Sequence, residues 1–290
     1  MKIAVGASSF GEAEAMRLLE SHEVIKNPYG RKLTEDETIG HLQGASGLLA
    51  GLEPLTERVF EACPELRAIA RIGIGIENVD LEAAARRKIK VSNTPDGPTY
   101  AVAEMTLAAL LSIARQIVPA NAEMHGGIWQ KRTGFSLWGK VILLVGYGRI
   151  AKAFEKMLEP FGMRAILCDP ELNTEPLGEL LPLADIVSLH ASGKTEIIGA
   201  RQISRMKEGA VLLNSARGAL VNERAVCRAL KNGGLSWYWA DVFSEEPYSG
   251  ELASCGNALL TPHISTYTKL CREQMEVQAA KNLLEDLRDA

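Results

Sequence analysis

Between Gly139 and Phe154 the chain runs through Val141-Ile142-Leu143-Leu144-Val145 into Gly146-Tyr147-Gly148 and straight on to Arg149-Ile150-Ala151. An apolar, partly β-branched run reaches a glycine pair and passes directly into apolar residues at helical spacing, Ile150, Phe154, Met157, Leu158 and Phe161. That is strand, tight turn, helix. Gly146 can take the backbone geometry of a sharp turn. Gly148 has no side chain to hold a phosphate off the helix N-terminus, where free N–H groups and the helix dipole meet negative charge. Ala151 is small enough for close helix–strand packing. The pattern is that of a dinucleotide-binding turn, and an ordinary tight turn is the alternative. A second apolar run, Ala165 to Cys168, ends at Asp169, about 20 residues past Gly148, the offset of a ribose-binding acid. A carboxylate there accepts hydrogen bonds from ribose hydroxyls and repels a 2′-phosphate, so NAD is expected in preference to NADP. A solvated strand-end acid before Pro170 is the bland alternative.

A chain of 290 residues, 47% of them hydrophobic, can build two domains with ample core. A net charge of −4 and the absence of any Lys/Arg-rich block speak against a nucleic-acid surface. The start, Met1-Lys2-Ile3-Ala4-Val5-Gly6, turns polar too soon for a signal peptide, and no apolar run reaches the roughly 18 residues of a membrane span. Cys63, Cys168, Cys227, Cys255 and Cys271 are scattered and form no CxxC. They read as thiols of a reducing compartment, with no zinc site. Cytoplasm is the expected location.

Residues 1 to about 97 alternate strand-like and helix-like pieces: a strand at Ile3–Val5, a helix from Glu12 to Glu20, and strands at Gly47–Ala50 and Leu66–Arg71. This is an α/β layer with a parallel sheet. The loop Arg71 to Asp80 carries Gly73-Ile74-Gly75, whose N–H groups at the carboxyl edge of the sheet suit a small anion; a plain glycine loop is the alternative. Asn93 to Pro98 is dense in turn formers and marks a change of domain. A long helical pattern follows from Tyr100 to about Val118, with Pro119 beyond it, then an irregular arm from Gly126 to Ser136. Trp129 and Trp138 read as packing or subunit-contact residues. Beyond the nucleotide turn come strands at Ile186–Leu189 and Ala210–Asn214, a helix from about Glu223 to Lys231, a strand ending at Ala240–Val242, and a short run at Ala258–Leu260. That is a doubly wound sheet. Past Pro262 the chain reads as one amphipathic helix to its end.

Three polar residues follow successive strand ends in this second unit. Asn214-Ser215-Ala216-Arg217-Gly218 places a cation, Asp241 to Pro247 places carboxylates, and Thr261-Pro262-His263 places a histidine. Arginine's planar fork can grip a 2-oxo acid, and histidine can supply or take the hydroxyl proton. A glutamate on the other ring nitrogen holds the tautomer and favours the imidazolium. Taken singly, each has a bland reading as a surface charge, a solvated turn or a packed ring; their common placement is the argument.

At these residues the chain resembles the D-isomer-specific 2-hydroxyacid dehydrogenases, through GIGIENVD, NTPDGPTYAVAE, LWGK, GYGRIA, MKEGAVLLNSARG, DVFSEEP and TPH in order. The resemblance implies two doubly wound parallel-sheet domains, a Rossmann-type cofactor domain inserted in a flavodoxin-like substrate domain. The expected boundaries are 1–97 plus 265–290 for the substrate domain and 98–264 for the NAD domain. It implies an NAD-dependent enzyme interconverting a small 2-oxo acid and its D-2-hydroxy acid, with a phosphoglycerate or hydroxypyruvate type of substrate favoured, working as a homodimer. Carried over by motif, Arg217 binds substrate, His263 is the acid/base and Glu246, directly before Pro247, completes the relay. Gly146, Gly148, Arg149 and Ile150 hold the pyrophosphate and Asp169 the ribose. Ser215 and Ala216 line the cofactor, and Asp241 lies near the nicotinamide amide. Gly73, Ile74 and Gly75 receive the substrate carboxylate.

Three departures stand out. Ala151 replaces the usual glycine, and Ala191-Ser192-Gly193-Lys194 follows His190 where a Pro-Leu-Thr-like turn is usual. Trp237-Tyr238-Trp239 stands where small residues are common, and such bulk is expected to repack that strand's surroundings and can narrow the site. The chain ends soon after the closing helix, so feedback control by serine through an added domain is not expected. An NAD-sensing binding protein of the C-terminal binding protein type is the alternative reading. A methyltransferase with a similar turn would leave Arg217, Glu246 and His263 unexplained.

Overall fold

The computed structural model describes residues 1–289; Ala290, the final position of the expected substrate domain, lies outside the described residues. Two compact units emerge, Met1–Pro98 together with the segment from Thr266 onward, and Thr99–Ser265.

In the first unit β1 (Lys2–Val5), α1 (Ala13–Leu18), β2 (Glu23–Lys26), α2 (Glu35–Leu42), β3 (Gly47–Ala50), α3 (Glu57–Ala62), β4 (Ala68–Arg71), α4 (Leu81–Arg86) and β5 (Lys90–Asn93) alternate strictly. The five strands pair in parallel in the order β2-β1-β3-β4-β5. Helix starts are set locally: Thr34 and Glu37 form a capping box on α2, and Thr56 and Asp80 cap α3 and α4. Ala4, Leu48, Ala50 and Ile69 pack with Leu42, Leu55, Val59 and Phe60. Each fully buried Leu, Ile or Phe contributes about 1.5–3 kcal/mol.

The closing helix α11 (Lys269–Arg288) belongs to this unit and is capped by Thr268. It therefore begins six residues later than the sequence pattern past Pro262 suggests. Its Glu276 is almost fully buried, accepting from the backbone N–H groups of Gly11 and Glu12 (both 2.9 Å) and pairing with Arg272 (2.9 Å). Arg272 also donates to the Ser9 carbonyl (2.7 Å). The helix thus fixes the loop that leaves β1.

In the second unit α5 (Pro98–Ala114) and α6 (Ile117–His125) replace the single helix expected from Tyr100 to Val118. The axis bends by 63° at Arg115-Gln116, where Gln116 adopts a left-handed backbone (φ 55°). Pro119 lies in the first turn of α6, where its missing N–H costs nothing. No single helix is long and apolar enough to cross a membrane among the described residues.

The remaining elements are β6 (Val141–Val145), α7 (Arg149–Leu158), β7 (Arg164–Cys168), α8 (Leu177–Leu180), β8 (Ile186–Leu189), α9 (Ala200–Ile203), β9 (Ala210–Asn214), α10 (Glu223–Asn232), β10 (Leu235–Ala240) and β11 (Ala258–Leu260). The six strands are parallel in the order β11-β10-β9-β8-β6-β7. After β7 the chain crosses over β6 to β8, so the switch in direction falls between β6 and β8, where doubly wound sheets take their ligands.

Period-two alternation divides the bulky strand cleanly. Tyr238 and Trp239 are fully buried on opposite faces, Tyr238 with Leu212, Val226 and Leu235, Trp239 with Leu110, Ile142, Phe154 and Leu213. The expected bulk therefore fills the two cores. Trp138 is 76% and Trp129 82% exposed.

Candidate active site

The nucleotide turn is built at the switch point. Gly146 has φ +86°, and a Cβ there would stand 2.6 Å from the Ala191 nitrogen, in the loop that leaves β8. Only glycine lets these two strand ends approach. Gly148 caps α7, and a Cβ at that position would meet nothing within 4 Å. Open space at the N-terminus of a ten-residue helix is what a pyrophosphate requires. Arg149 and Ile150 begin α7, and Ala151 is fully buried against the sheet.

Asp169, at the end of β7, accepts the Tyr147 N–H (2.6 Å) on one carboxylate oxygen and the Glu171 N–H (2.8 Å) on the other. It ties the glycine turn to the next strand, and each oxygen keeps a further lone pair for a ribose hydroxyl. The residues present thus fit a dinucleotide without a 2′-phosphate.

His190 follows β8, bonded to Ser188 (2.9 Å) and lying 5.6 Å from the Phe154 ring. Burial pushes its imidazole down to about 4, so it is neutral near pH 7.

The polar residues sit at three neighbouring strand ends, since Asn214 is level with Ala240 and Ala240 with Leu260. Buried Asn214 shapes the turn after β9. It accepts the Ala216 N–H (3.0 Å) and donates to the Arg217 carbonyl (2.9 Å). Arg217 in turn donates to the Ala216 carbonyl (2.7 Å). Ser215 accepts a bond from Thr106 of α5 (3.3 Å). A Cβ on Gly218 would stand 1.9 Å from the Phe243 carbonyl carbon, so the turns after β9 and β10 touch directly there.

Glu246 links the next two loops. One of its oxygens accepts the Phe243 N–H (3.1 Å), and the other lies 2.9 Å from His263 Nδ1. The pair is half-buried. His263 itself holds a left-handed backbone, φ 54°, a conformation that costs a non-glycine residue about 1–2 kcal/mol.

What holds it there is Asp241. This carboxylate, 1% exposed, accepts Thr261 Oγ1 (2.6 Å) and the Ile264 N–H (3.0 Å) on one oxygen. On the other it accepts the Ser265 N–H (2.8 Å) and Ser265 Oγ (2.5 Å). All four acceptor positions of a carboxylate are filled by the segment that carries His263. The aspartate expected beside a nicotinamide amide thus also ties down the residues on either side of the histidine.

In the first unit the Gly73-Ile74-Gly75 loop follows β4. Gly73 donates its N–H to the buried Thr94 hydroxyl (2.7 Å), and Asn93 donates to the Ile74 carbonyl (2.7 Å). The Arg71 guanidinium lies over Gly73. Glu53, fully buried with both carboxylate oxygens 3.0 Å from the Gly51 N–H, has its acid strength reduced by burial. Neither Arg71 nor Glu53 stands out in the sequence, where each reads as one charged residue near a strand end.

Residues 107–265 match the family model for the NAD-binding domain of D-isomer-specific 2-hydroxyacid dehydrogenases. The glyoxylate reductase of Thermococcus litoralis is 37% identical over 255 residues, which cover 80% of this chain and 77% of that protein. Human D-3-phosphoglycerate dehydrogenase is 34% identical over 269 residues, 86% of this chain but only 50% of that longer protein. Among solved structures, the TT0316 protein from Thermus thermophilus superposes with a TM-score of 0.91 at 35% identity, covering 100% of this chain and 97% of that one. On the fold, the nucleotide turn and these matches together, the chain belongs to the D-isomer-specific 2-hydroxyacid dehydrogenase family, NAD-dependent oxidoreductases.

Proposed function

We propose that the protein interconverts a small 2-oxo acid and its D-2-hydroxy acid, with His263 as the acid/base, Glu246 as its partner and Arg217 as the substrate-binding cation. The observation that carries this reading is the 2.9 Å contact between His263 Nδ1 and Glu246. An ionised carboxylate accepts, so Nδ1 carries a proton and Nε2 is the nitrogen left to trade one with substrate.

Bound NADH supplies the hydride. In the reductive direction His263 gives its Nε2 proton to the carbonyl oxygen as that oxygen gains negative charge, and in the oxidative direction it takes the proton back. Arg217 grips the oxo oxygen and the carboxylate through its planar fork. Gly73 already donates to Thr94, so we assign the N–H groups of Ile74 and Gly75 to the substrate carboxylate. Ser215 and Ala216 line the cofactor in this reading, and Gly146, Gly148, Arg149, Ile150 and Asp169 hold it. The relatives favour a substrate of glyoxylate, hydroxypyruvate or phosphoglycerate type.

Asp169→Ala tests the cofactor half. Removing the carboxylate removes the repulsion of a 2′-phosphate and one tie on the turn. The ratio of kcat/KM for NADH over NADPH should fall by about tenfold, corresponding to the ~1.4 kcal/mol of a single charge-assisted contact. An unchanged ratio would remove Asp169 from the ribose site.

A further inference from the structure

The segment that presents His263 is held from two directions. From the sheet edge, Asp241 accepts four hydrogen bonds from Thr261, Ile264 and Ser265. From the core, the indole of Trp239, fully buried two residues before Asp241, donates Nε1–H to Thr261 Oγ1 (3.1 Å). Thr261 is the residue shared by both.

An indole N–H can only donate, so toward Trp239 the Thr261 oxygen must accept. The threonine's single proton then has two places to go, Asp241 Oδ1 at 2.6 Å or the Ala240 carbonyl at 3.4 Å. Accepting from the indole polarises the hydroxyl and strengthens the bond it donates to the carboxylate. Two residues on, His263 holds its left-handed backbone with Nδ1 2.9 Å from Glu246.

We propose that Trp239 is a positioning residue for His263, acting through the Thr261 hydroxyl and the Asp241 clamp. The assignment rests on the reading of His263 as acid/base. It gives the bulky strand a role in the reaction itself: Trp239 fills the core with its ring and steadies the proton-transferring loop with its one polar atom.

Trp239→Phe keeps most of the ring and removes the N–H. Its kcat should fall by roughly 5–10-fold through looser alignment of the proton donor, with NADH affinity and substrate KM within about twofold of wild type. The hydride-transfer step becomes more nearly rate-limiting, so the isotope effect on kcat with NADH deuterated at the transferred position should rise. Thr261→Val should reproduce both effects, and Thr261→Ser, which keeps the hydroxyl, should recover most of the turnover.

His263→Ala is measured in the same series. If it loses turnover while Trp239→Phe and Thr261→Val match wild type in kcat and isotope effect, the positioning role is overturned and the site reading stands. If His263→Ala itself turns over normally, the site reading fails and the positioning role falls with it. Losses of kcat that merely follow losses of folded protein and of NADH affinity would overturn the positioning role as well. Should Trp239→Phe not fold, the contrast between Thr261→Val and Thr261→Ser decides: a slow Val variant rescued in the Ser variant supports the role, and equal turnover in both overturns it.

Discussion

His263→Ala lowers turnover by about 100-fold or more, the usual scale of general acid–base catalysis, while NADH binding persists. The separation follows from the architecture. The groups assigned to the pyrophosphate and the ribose lie after β6 and β7, among them Gly146, Gly148 and Asp169. His263 follows β11 and bonds to Glu246, so its loss leaves the nucleotide turn untouched. Steady-state kinetics together with NADH fluorescence titration read both quantities. Wild-type turnover in the variant would remove His263 from the chemistry. Equal losses of NADH affinity and turnover would show the residue to be structural.

Asp241→Asn should be strongly destabilising although it is isosteric. The amide offers acceptor positions on one end only, and its other end confronts donors. The Ser265 hydroxyl can turn to accept, but the backbone N–H groups of Ile264 and Ser265 cannot, so at least one is stranded at a site 1% exposed. An unsatisfied buried donor costs about 1–3 kcal/mol, and the charge-assisted bonds lost with the carboxylate bring the expected destabilisation to about 2–4 kcal/mol. Without the clamp the left-handed backbone at His263 relaxes, and kcat falls with stability. Denaturant unfolding and turnover are the measurements, and wild-type values in both would show that the four hydrogen bonds do not hold the loop.

The sequence was most informative where structure is decided locally. Val141 to Ala151 carries its strand, turn and helix in neighbouring residues, and the same holds for Ala165–Asp169 and Ala210–Asn214. The first unit is less legible. Strands such as β2 and β5 have four residues each and mix polar with apolar side chains, so they leave no clear period. The break between α5 and α6 was hidden because Pro119 reads as a stop when it is a tolerated first-turn residue.

At the site, three strand-end residues could be picked out from the pattern and a glutamate–histidine pair expected from their chemistry, but not the geometry that brings the two together. Glu246 and His263 are brought together by the parallel alignment of β10 and β11. The clamp was invisible for a different reason: Asp241 is satisfied by two backbone N–H groups and two hydroxyls, and backbone donors have no sequence signature. Gly73 was expected to face an anion and is instead bonded to Thr94, 21 residues away. The bulk of Trp237 to Trp239 was legible as an oddity, while its division between two cores needed the register of β10.

The proposed reaction is tested most directly by oxidation of NADH and of NADPH by the purified protein with glyoxylate, hydroxypyruvate, pyruvate, 2-oxoglutarate and phosphohydroxypyruvate as acceptors. The predicted result is NADH-dependent turnover with at least one of these acids, slower with NADPH. Tight NADH binding with no oxidation on any of them would contradict the proposed reaction.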